Sequence, residues 1–230
     1  MQLSKRLSAV SDMVTSTDCL ADVGTDHGYI PIFLVEEGRI PRAIAMDINQ
    51  GPLERAREHI RQKGLEKRIE TRQSDGVAAL KPGEAKAVVI AGMGGGLVQK
   101  IVKEGEDVLR SVSQLILQPQ SELEEVRRFL QKEGYAIEEE EMILEDGKYY
   151  PMMRVVHGSM EICEAIEFKY GPFLLKRKHP CLNSFLEREE MLYERVRAQL
   201  ERWGGESSAQ RLGEVTEELR MIREAKERMK

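Results

Sequence analysis

Apolar positions recur with two different periods along the 230-residue chain, and the change of period divides it. Leu3, Leu7, Val10 and Val14 keep helical spacing and predict a short leading helix. Five short apolar runs follow, at 19–23, 43–46, 68–73, 87–91 and 115–117, bounded by glycine, proline or polar residues. Helical stretches at 29–37, 51–63, up to Arg110, and 122–132 lie between or after them; Pro31 and Pro52 fit first turns, and Gly38, Gly64 and Gly134 fit stops. Ser121 and Glu124 read as a capping box for the helix from 122. Ala87 to Ala91, the most apolar run, belongs at the centre of a sheet. Residues 135–144 and 149–157 then form two strand-like runs joined by Glu145-Asp146-Gly147, a hairpin signal. Together these predict an α/β fold: a doubly wound, Rossmann-like sheet of seven strands, the last antiparallel and at the edge.

Past Gly158 the pattern changes, which places a domain boundary between 1–159 and 160–230. A basic knot stands at Lys176-Arg177-Lys178-His179. Leu182, Phe185, Leu192, Val196, Leu200 and Trp203 form one stripe; Leu212, Val215, Leu219, Ile222 and Met229 form another, with Gly204-Gly205 between them. Two charged helices of this kind predict an antiparallel coiled-coil hairpin, since each stripe needs a partner.

Composition narrows the class. Apolar content of 41% supports a core, and a charged fraction of 33% fits long solvated helices. Three cysteines without CxxC or His/Cys ligand spacing point away from a disulfide framework and from a structural metal site. The N-terminus lacks the apolar core of a secretory signal, and no run approaches a membrane span, so a cytoplasmic protein without membrane contact is expected. The net charge is −5, yet the segment from Met160 holds 14 acidic and 14 basic residues, leaving the imbalance on the N-terminal part. Within it Arg55, Arg57, Arg61, Lys63, Lys67, Arg68 and Arg72 form a basic stretch diluted by glutamates. That stretch is either a phosphate-binding face or an ordinary solvated helix face.

The chemistry gathers at the strand ends. Leu20 to Pro31, LADVGTDHGYIP, is an apolar strand ending in Asp22 and Gly24, a polar turn, and a helix start. Asp47 and Asp75 end the next two strands, followed by Ile48 and Gly76. A carboxylate after the second strand accepts hydrogen bonds from ribose hydroxyls, and one after the third is placed to accept from an adenine amine. Each Asp alone would be read as a turn former; three in succession favour a nucleoside ligand. The turn lacks the G-x-G-x-x-G of a dinucleotide site, and Asp22 with Asp26 would repel a pyrophosphate. Two carboxylates suit a ligand bearing an ammonium and a sulfonium, as S-adenosyl-L-methionine (SAM) does. The second glycine cluster, Gly92-Met93-Gly94-Gly95-Gly96, follows the most buried strand and favours close approach over mere flexibility.

DVGTDHGYIP, Asp47, SDG at 74–76, AGMGG at 91–95 and LQPQ at 117–120 resemble the bacterial TrmK family, tRNA adenine-N1 methyltransferases acting on adenosine 22. The resemblance spans essentially the whole chain. It implies a class I SAM methyltransferase sheet, a helical hairpin tail, SAM as cofactor and tRNA as partner. A general methyltransferase has glycine where Asp26 stands and often an Asn-Pro-Pro motif after the fourth strand, so no catalytic role transfers from those enzymes. The cofactor set is then Asp22, Gly24, Asp47, Ile48, Asp75, Gly76, Gly92, Met93 and Gly94.

N1 of adenine already carries an in-plane lone pair, so positioning matters more than a strong base. Asp26 and Tyr29 are the candidate catalytic pair, Asp26 favouring the developing positive charge. His27, Gly95, Gln118, Pro119 and Gln120 are candidates for holding the base. A target in folded tRNA must be flipped out; Lys5, Arg6, the 55–72 stretch and Lys176, Arg177 and Lys178 are candidate phosphate contacts, and the helical hairpin a candidate tRNA arm. Methylation of a small molecule or protein, or SAM binding without catalysis, remain the competing readings, and an NAD-linked oxidoreductase is the weakest. A metal is not expected, and a monomer is preferred.

Overall fold

The computed structural model describes residues 2–15, 17–162, 164–203 and 206–230; Cys163 and the Gly204-Gly205 break lie outside them. Two compact units emerge, Met1–Glu161 and Ile162–Lys230.

In the first unit, helix α1 (Lys5–Asp12) precedes strand β1 (Cys19–Val23), helix α2 (Tyr29–Glu36), strand β2 (Arg42–Asp47), helix α3 (Gln50–Gln62) and strand β3 (Ile69–Gln73). Strand β4 (Ala87–Met93), helices α4 (Gly95–Glu104) and α5 (Glu106–Leu109), strand β5 (Gln114–Pro119), helix α6 (Leu123–Lys132) and strands β6 (Tyr135–Glu145) and β7 (Lys148–His157) complete it. The seven strands run in the order β3-β2-β1-β4-β5-β7-β6. The first five pair in parallel, and β7 is antiparallel to both β5 and β6. The expected reversed strand is present but not at the edge: β7 slots in beside β5, and β6 takes the rim. A two-residue turn at Asp146-Gly147 allows this, both residues having positive φ.

Strands β1, β4 and β5 sit mid-sheet, and β1 and β5 are buried along their whole length, which is why they read as unbroken apolar runs. Leu20, Ile32, Leu34, Val89 and Ile116 are fully buried in the core. The long helix expected up to Arg110 breaks at Gly105, where a β-carbon would lie 2.2 Å from Val77 Cγ2. The capping box at Ser121 does not form. Helix α6 starts after Glu122, without a side-chain cap, and Glu124 instead bonds Arg128. Ser121 Oγ accepts from Gly95 N at 3.2 Å and Glu122 Oε2 from Gly96 N at 2.7 Å, so this loop caps α4. Arg127 of α6 and Glu140 of β6 form a fully buried ion pair at 2.8 Å.

The second unit contains α7 (Ala165–Tyr170), α8 (Pro172–Lys176) and the long helices α9 (Pro180–Trp203) and α10 (Glu206–Arg228). Leu182, Leu186, Val215, Leu219 and Ile222 are buried, whereas Leu192 of the expected stripe is exposed. Arg223 and Lys226 reach across to Glu190, fixing the antiparallel pairing of α9 and α10.

The Arg127–Glu140 pair generates a test. Arg127→Met leaves Glu140 buried and lacking its guanidinium, with an expected loss of about 3–5 kcal/mol in urea unfolding. Adding Glu140→Leu should recover most of that loss. Equal destabilisation in single and double variants would assign the effect to packing alone.

Candidate functional site

Strand β1 carries the chain to the point where the sheet order reverses, because β1 lies between β2 and β4. There the backbone turns. Gly24 N and Thr25 N both donate to Met46 O, each at 2.8 Å, and Gly24 adopts φ +74°. Only glycine takes this conformation at little cost. A β-carbon at Gly24 would also lie 2.2 Å from Met93 Cε. The turn ends at Gly28, whose φ of +69° opens α2 and lets it pack on Ala56 of α3.

A cavity of about 310 Å³ opens at this point, lined by Asp22, Gly24, Asp26 and Tyr29 together with Arg6, Gly92 and Gln120. Its position, beyond the carboxyl ends of the strands at a topological switch point, is that of a ligand site. Asp22 is 6% exposed. Burial pushes its carboxyl up to about 6, and the neighbouring Asp47 adds to the rise. Among the described residues Asp22 forms no ion pair. A buried carboxylate that lacks a cation and faces a cavity fits a cationic ligand.

Asp26, by contrast, is two-thirds exposed; its Oδ1 accepts from Arg55 Nη2 at 2.9 Å and lies 3.3 Å from His27 Nε2. Tyr29 stacks on His27 with ring centroids 5.0 Å apart, and both stack on His59 of α3 at 5.6 and 5.3 Å. His59 carries no sequence signal; only the α2–α3 packing brings it here. His27 holds φ +63° and its carbonyl meets His59 Nδ1 at 3.0 Å.

Asp47 stands beside this turn: its Oδ1 accepts from Asn49 N at 2.7 Å, and Ser74 N donates to its carbonyl. Ile48 is exposed, its carbonyl accepting from Gln73 Nε2, and Asp75 is exposed at the end of β3. Gly76, at φ +52°, packs on Ile101. Asp22, Asp47 and Asp75 therefore follow one another along the carboxyl edge of β1, β2 and β3. Beyond β4, Gly92 has φ +81° and faces the cavity, Met93 overhangs Gly24, and Gly94 caps α4.

Several expected substrate contacts are placed elsewhere. Gln118 is fully buried; its amide accepts from Arg6 Nη1 at 3.0 Å and donates to Pro119 O, so it does not reach a base. Pro119 is buried as the last residue of β5, whereas Gln120 is exposed and lines the cavity. Gly95 is buried, and a β-carbon there would lie 2.5 Å from Ser121 O, so its role is packing. The basic stretch is largely engaged within the fold. Arg55 holds Asp26, Arg57 holds Thr71, Lys63 holds Glu36, Arg68 holds the Ile40 and Pro41 carbonyls, and Arg72 holds Glu70 and Glu84. Lys5 is exposed, and Lys176, Arg177 and Lys178 form an exposed basic group in the second unit. Among the described residues no cluster of His, Cys, Asp or Glu is arranged to hold a metal, and no helix is long and apolar enough to cross a membrane.

The sheet order and the cavity define a Rossmann-like methyltransferase, and residues 3–153 match the family model described as a methyltransferase domain. The chain is 33% identical to the Bacillus subtilis tRNA (adenine(22)-N(1))-methyltransferase over 97% of both chains. The crystal structure of the B. subtilis m1A22 tRNA methyltransferase TrmK superposes with a TM-score of 0.85 at 32% identity, covering 97% of this chain and 98% of that one. A Streptococcus pneumoniae protein assigned as a tRNA (m1A22) methyltransferase, in complex with SAM, gives 0.87 at 34% identity, covering 97% and 99%. The chain belongs to the bacterial TrmK family of tRNA (adenine(22)-N(1))-methyltransferases.

Asp22 gives the site a measurable pH signature. Its carboxyl rises from an ordinary value of 3.8 to about 6, so its ionisation opposes folding above pH 6 and that cost is gone below 3.8. Asp22→Asn should therefore melt higher than the parent at about pH 8 and alike at about pH 3.5, while losing SAM affinity. In the parent, SAM affinity measured by calorimetry should fall below pH 6, approaching tenfold per pH unit, because only the carboxylate pairs with a cation.

Proposed function

We propose that this chain transfers a methyl group from SAM to N1 of adenosine 22 in tRNA. The observation that carries the reading is the cavity at the β1–β4 switch point, with an uncompensated buried Asp22 on a chain of this family. Asp22, Gly24 and Gly92 are the residues that would hold the cofactor, with Asp47 and Ile48 at the ribose and Asp75 and Gly76 at the adenine. When bound, SAM supplies an electrophilic methyl on a sulfonium.

The target N1 uses its own lone pair: the N–C bond forms as the S–C bond breaks, and the product base is a cation. No proton has to leave, so the site needs alignment and exclusion of water. Tyr29 offers a flat ring backed by two imidazoles, a surface on which a flipped base can stack. Asp26, held by Arg55, places negative charge at the same wall and favours the developing positive charge. Gln120 also lines the cavity and is exposed. The cytoplasm, where tRNA resides, is the proposed place of action.

The direct test is transfer of labelled methyl from SAM to tRNA, followed by mapping of the labelled nucleotide; label at a nucleotide other than adenosine 22, or none, overturns the reading. Asp26→Asn should lower kcat roughly tenfold to a hundredfold at saturating tRNA and SAM, with SAM affinity nearly unchanged. Full turnover would remove the electrostatic role of Asp26.

The exposed Lys176, Arg177 and Lys178 support a contribution of the second unit to tRNA binding. A chain ending at Glu161 should keep SAM binding and lose tRNA affinity in a filter-binding assay, and unchanged tRNA affinity would refute that role.

A further inference from the structure

Helix α3 meets the turn before Tyr29 through three residues of one face. Arg55 Nη2 donates to Asp26 Oδ1 at 2.9 Å. Ala56 is fully buried and lies so close to Gly28 that a β-carbon there would stand 3.3 Å from its own. His59, one helical turn beyond Arg55, makes the third contact: its Nδ1 is 3.0 Å from the His27 carbonyl oxygen. A carbonyl only accepts, so the proton of that bond sits on His59 Nδ1. Three successive residues of the turn, Asp26, His27 and Gly28, are thus each met by a different residue of α3.

The turn needs holding. His27 and Gly28 are both left-handed, at φ +63° and +69°. Glycine bears this freely, whereas a left-handed histidine is disfavoured, and a hydrogen bond to its carbonyl works against that penalty. The His27 ring is oriented separately. Its Nδ1 is buried without a hydrogen-bond partner and its Nε2 lies 3.3 Å from Asp26 Oδ1, so the neutral ring carries its proton on Nε2, toward the carboxylate. The rings of His27, Tyr29 and His59 are nearly parallel, with 8° to 19° between planes. Tyr29 lines the cavity and His59 does not. A packing role would require only a flat ring at position 59. The bond to the His27 carbonyl requires a donor where Nδ1 stands.

We propose that His59 is a positioning residue for methyl transfer: its Nδ1–H bond to the His27 carbonyl fixes the left-handed turn, and through it the Asp26 carboxylate and the Tyr29 ring against which the target base rests. This inference rests on the methyltransferase reading of the cavity. His59 acts through Asp26 and Tyr29, without contact to cofactor or base. Because α2 opens directly at Gly28, a shift of the His27 carbonyl moves the start of that helix and Tyr29 with it. A small misplacement of groups around the reacting atoms lowers turnover while leaving the cofactor's own contacts intact.

The experiment measures kcat for tRNA methylation at saturating SAM and tRNA, and SAM affinity by calorimetry, on the parent chain, His59→Ala, His59→Asn and His59→Phe. His59→Asn places an amide N–H near the position of Nδ1 and removes the ring; His59→Phe keeps a ring and removes the donor. His59→Ala and His59→Phe should each lower kcat about tenfold, the scale of a small misplacement of the reacting groups. SAM affinity should stay within about twofold of the parent in all three, since the cofactor carboxylates are held by other contacts. His59→Asn should restore most of the lost kcat. Full kcat in His59→Ala overturns the proposal, as does recovery by His59→Phe in place of His59→Asn, which would make the ring alone responsible. A SAM affinity that falls in step with kcat would make His59 merely structural and overturns it too. If His59→Ala melts early, the comparison of His59→Asn with His59→Phe carries the test. A parent chain that binds no SAM or methylates no tRNA would instead sink the methyltransferase reading, so the two failures are distinguishable.

Discussion

One carbonyl organises the catalytic unit. Met46 O, at the end of β2, accepts from both Gly24 N and Thr25 N. That double acceptance takes the chain off β1 at a left-handed glycine, two residues beyond Asp22. The pin also sets the start of α2, and with it Tyr29 and the stack through His27 to His59. The proposed cofactor carboxylate, Asp22, and the proposed base wall at Tyr29 therefore depend on the same two hydrogen bonds.

Much of this was legible from residue order. Strands with both faces buried must be continuous apolar runs, so β1, β4 and β5 declared themselves, and Asp146-Gly147 declared a hairpin. The carboxylates at three successive strand ends were legible because parallel strands bring their carboxyl ends to one edge. What was not legible depends on partners far away in sequence. Ser121 has every local attribute of a cap for α6, yet its hydroxyl serves α4, since the glycine start of α4 has no side chain to cap itself. Gln118 looked like a base reader because polar residues after a strand usually face a ligand. The β4–β5 pairing extends to Pro119 and buries it. The basic stretch from Arg55 to Arg72 could not be read because Arg55, Lys63 and Arg72 are set by tertiary neighbours, Asp26, Glu36, Glu70 and Glu84.

The distribution of charge across the cavity follows from the chemistry it serves. A reaction that turns a neutral base into a cation, using a cationic methyl donor, gains nothing from an added cation near the reacting atoms. The Asp22 and Asp26 wall is negative, and cations nearby are held back: Arg55 is tied to Asp26, Arg57 to Thr71 and Lys63 to Glu36. Arg6 also lines the cavity and forms no ion pair among the described residues.

The antiparallel end of the sheet acquires a purpose from this. A sheet of five parallel strands would already provide the switch point at β1 and β4, so β6 and β7 add nothing to the turn at Gly24. They carry Glu145 and Tyr150, however, and these hold α1 by its first amides and cover the Arg6 guanidinium. With β7 inserted beside β5 and β6 on the rim, the tip of the hairpin extends past the carboxyl ends of the parallel strands. An edge hairpin with β7 outermost would shift Glu145 by one strand spacing, about 4.8 Å, and leave the N-terminus of α1 without its carboxylate. The strand order that sequence pattern could not resolve is thus the feature that brings the leading helix, and Arg6 on it, to the cavity.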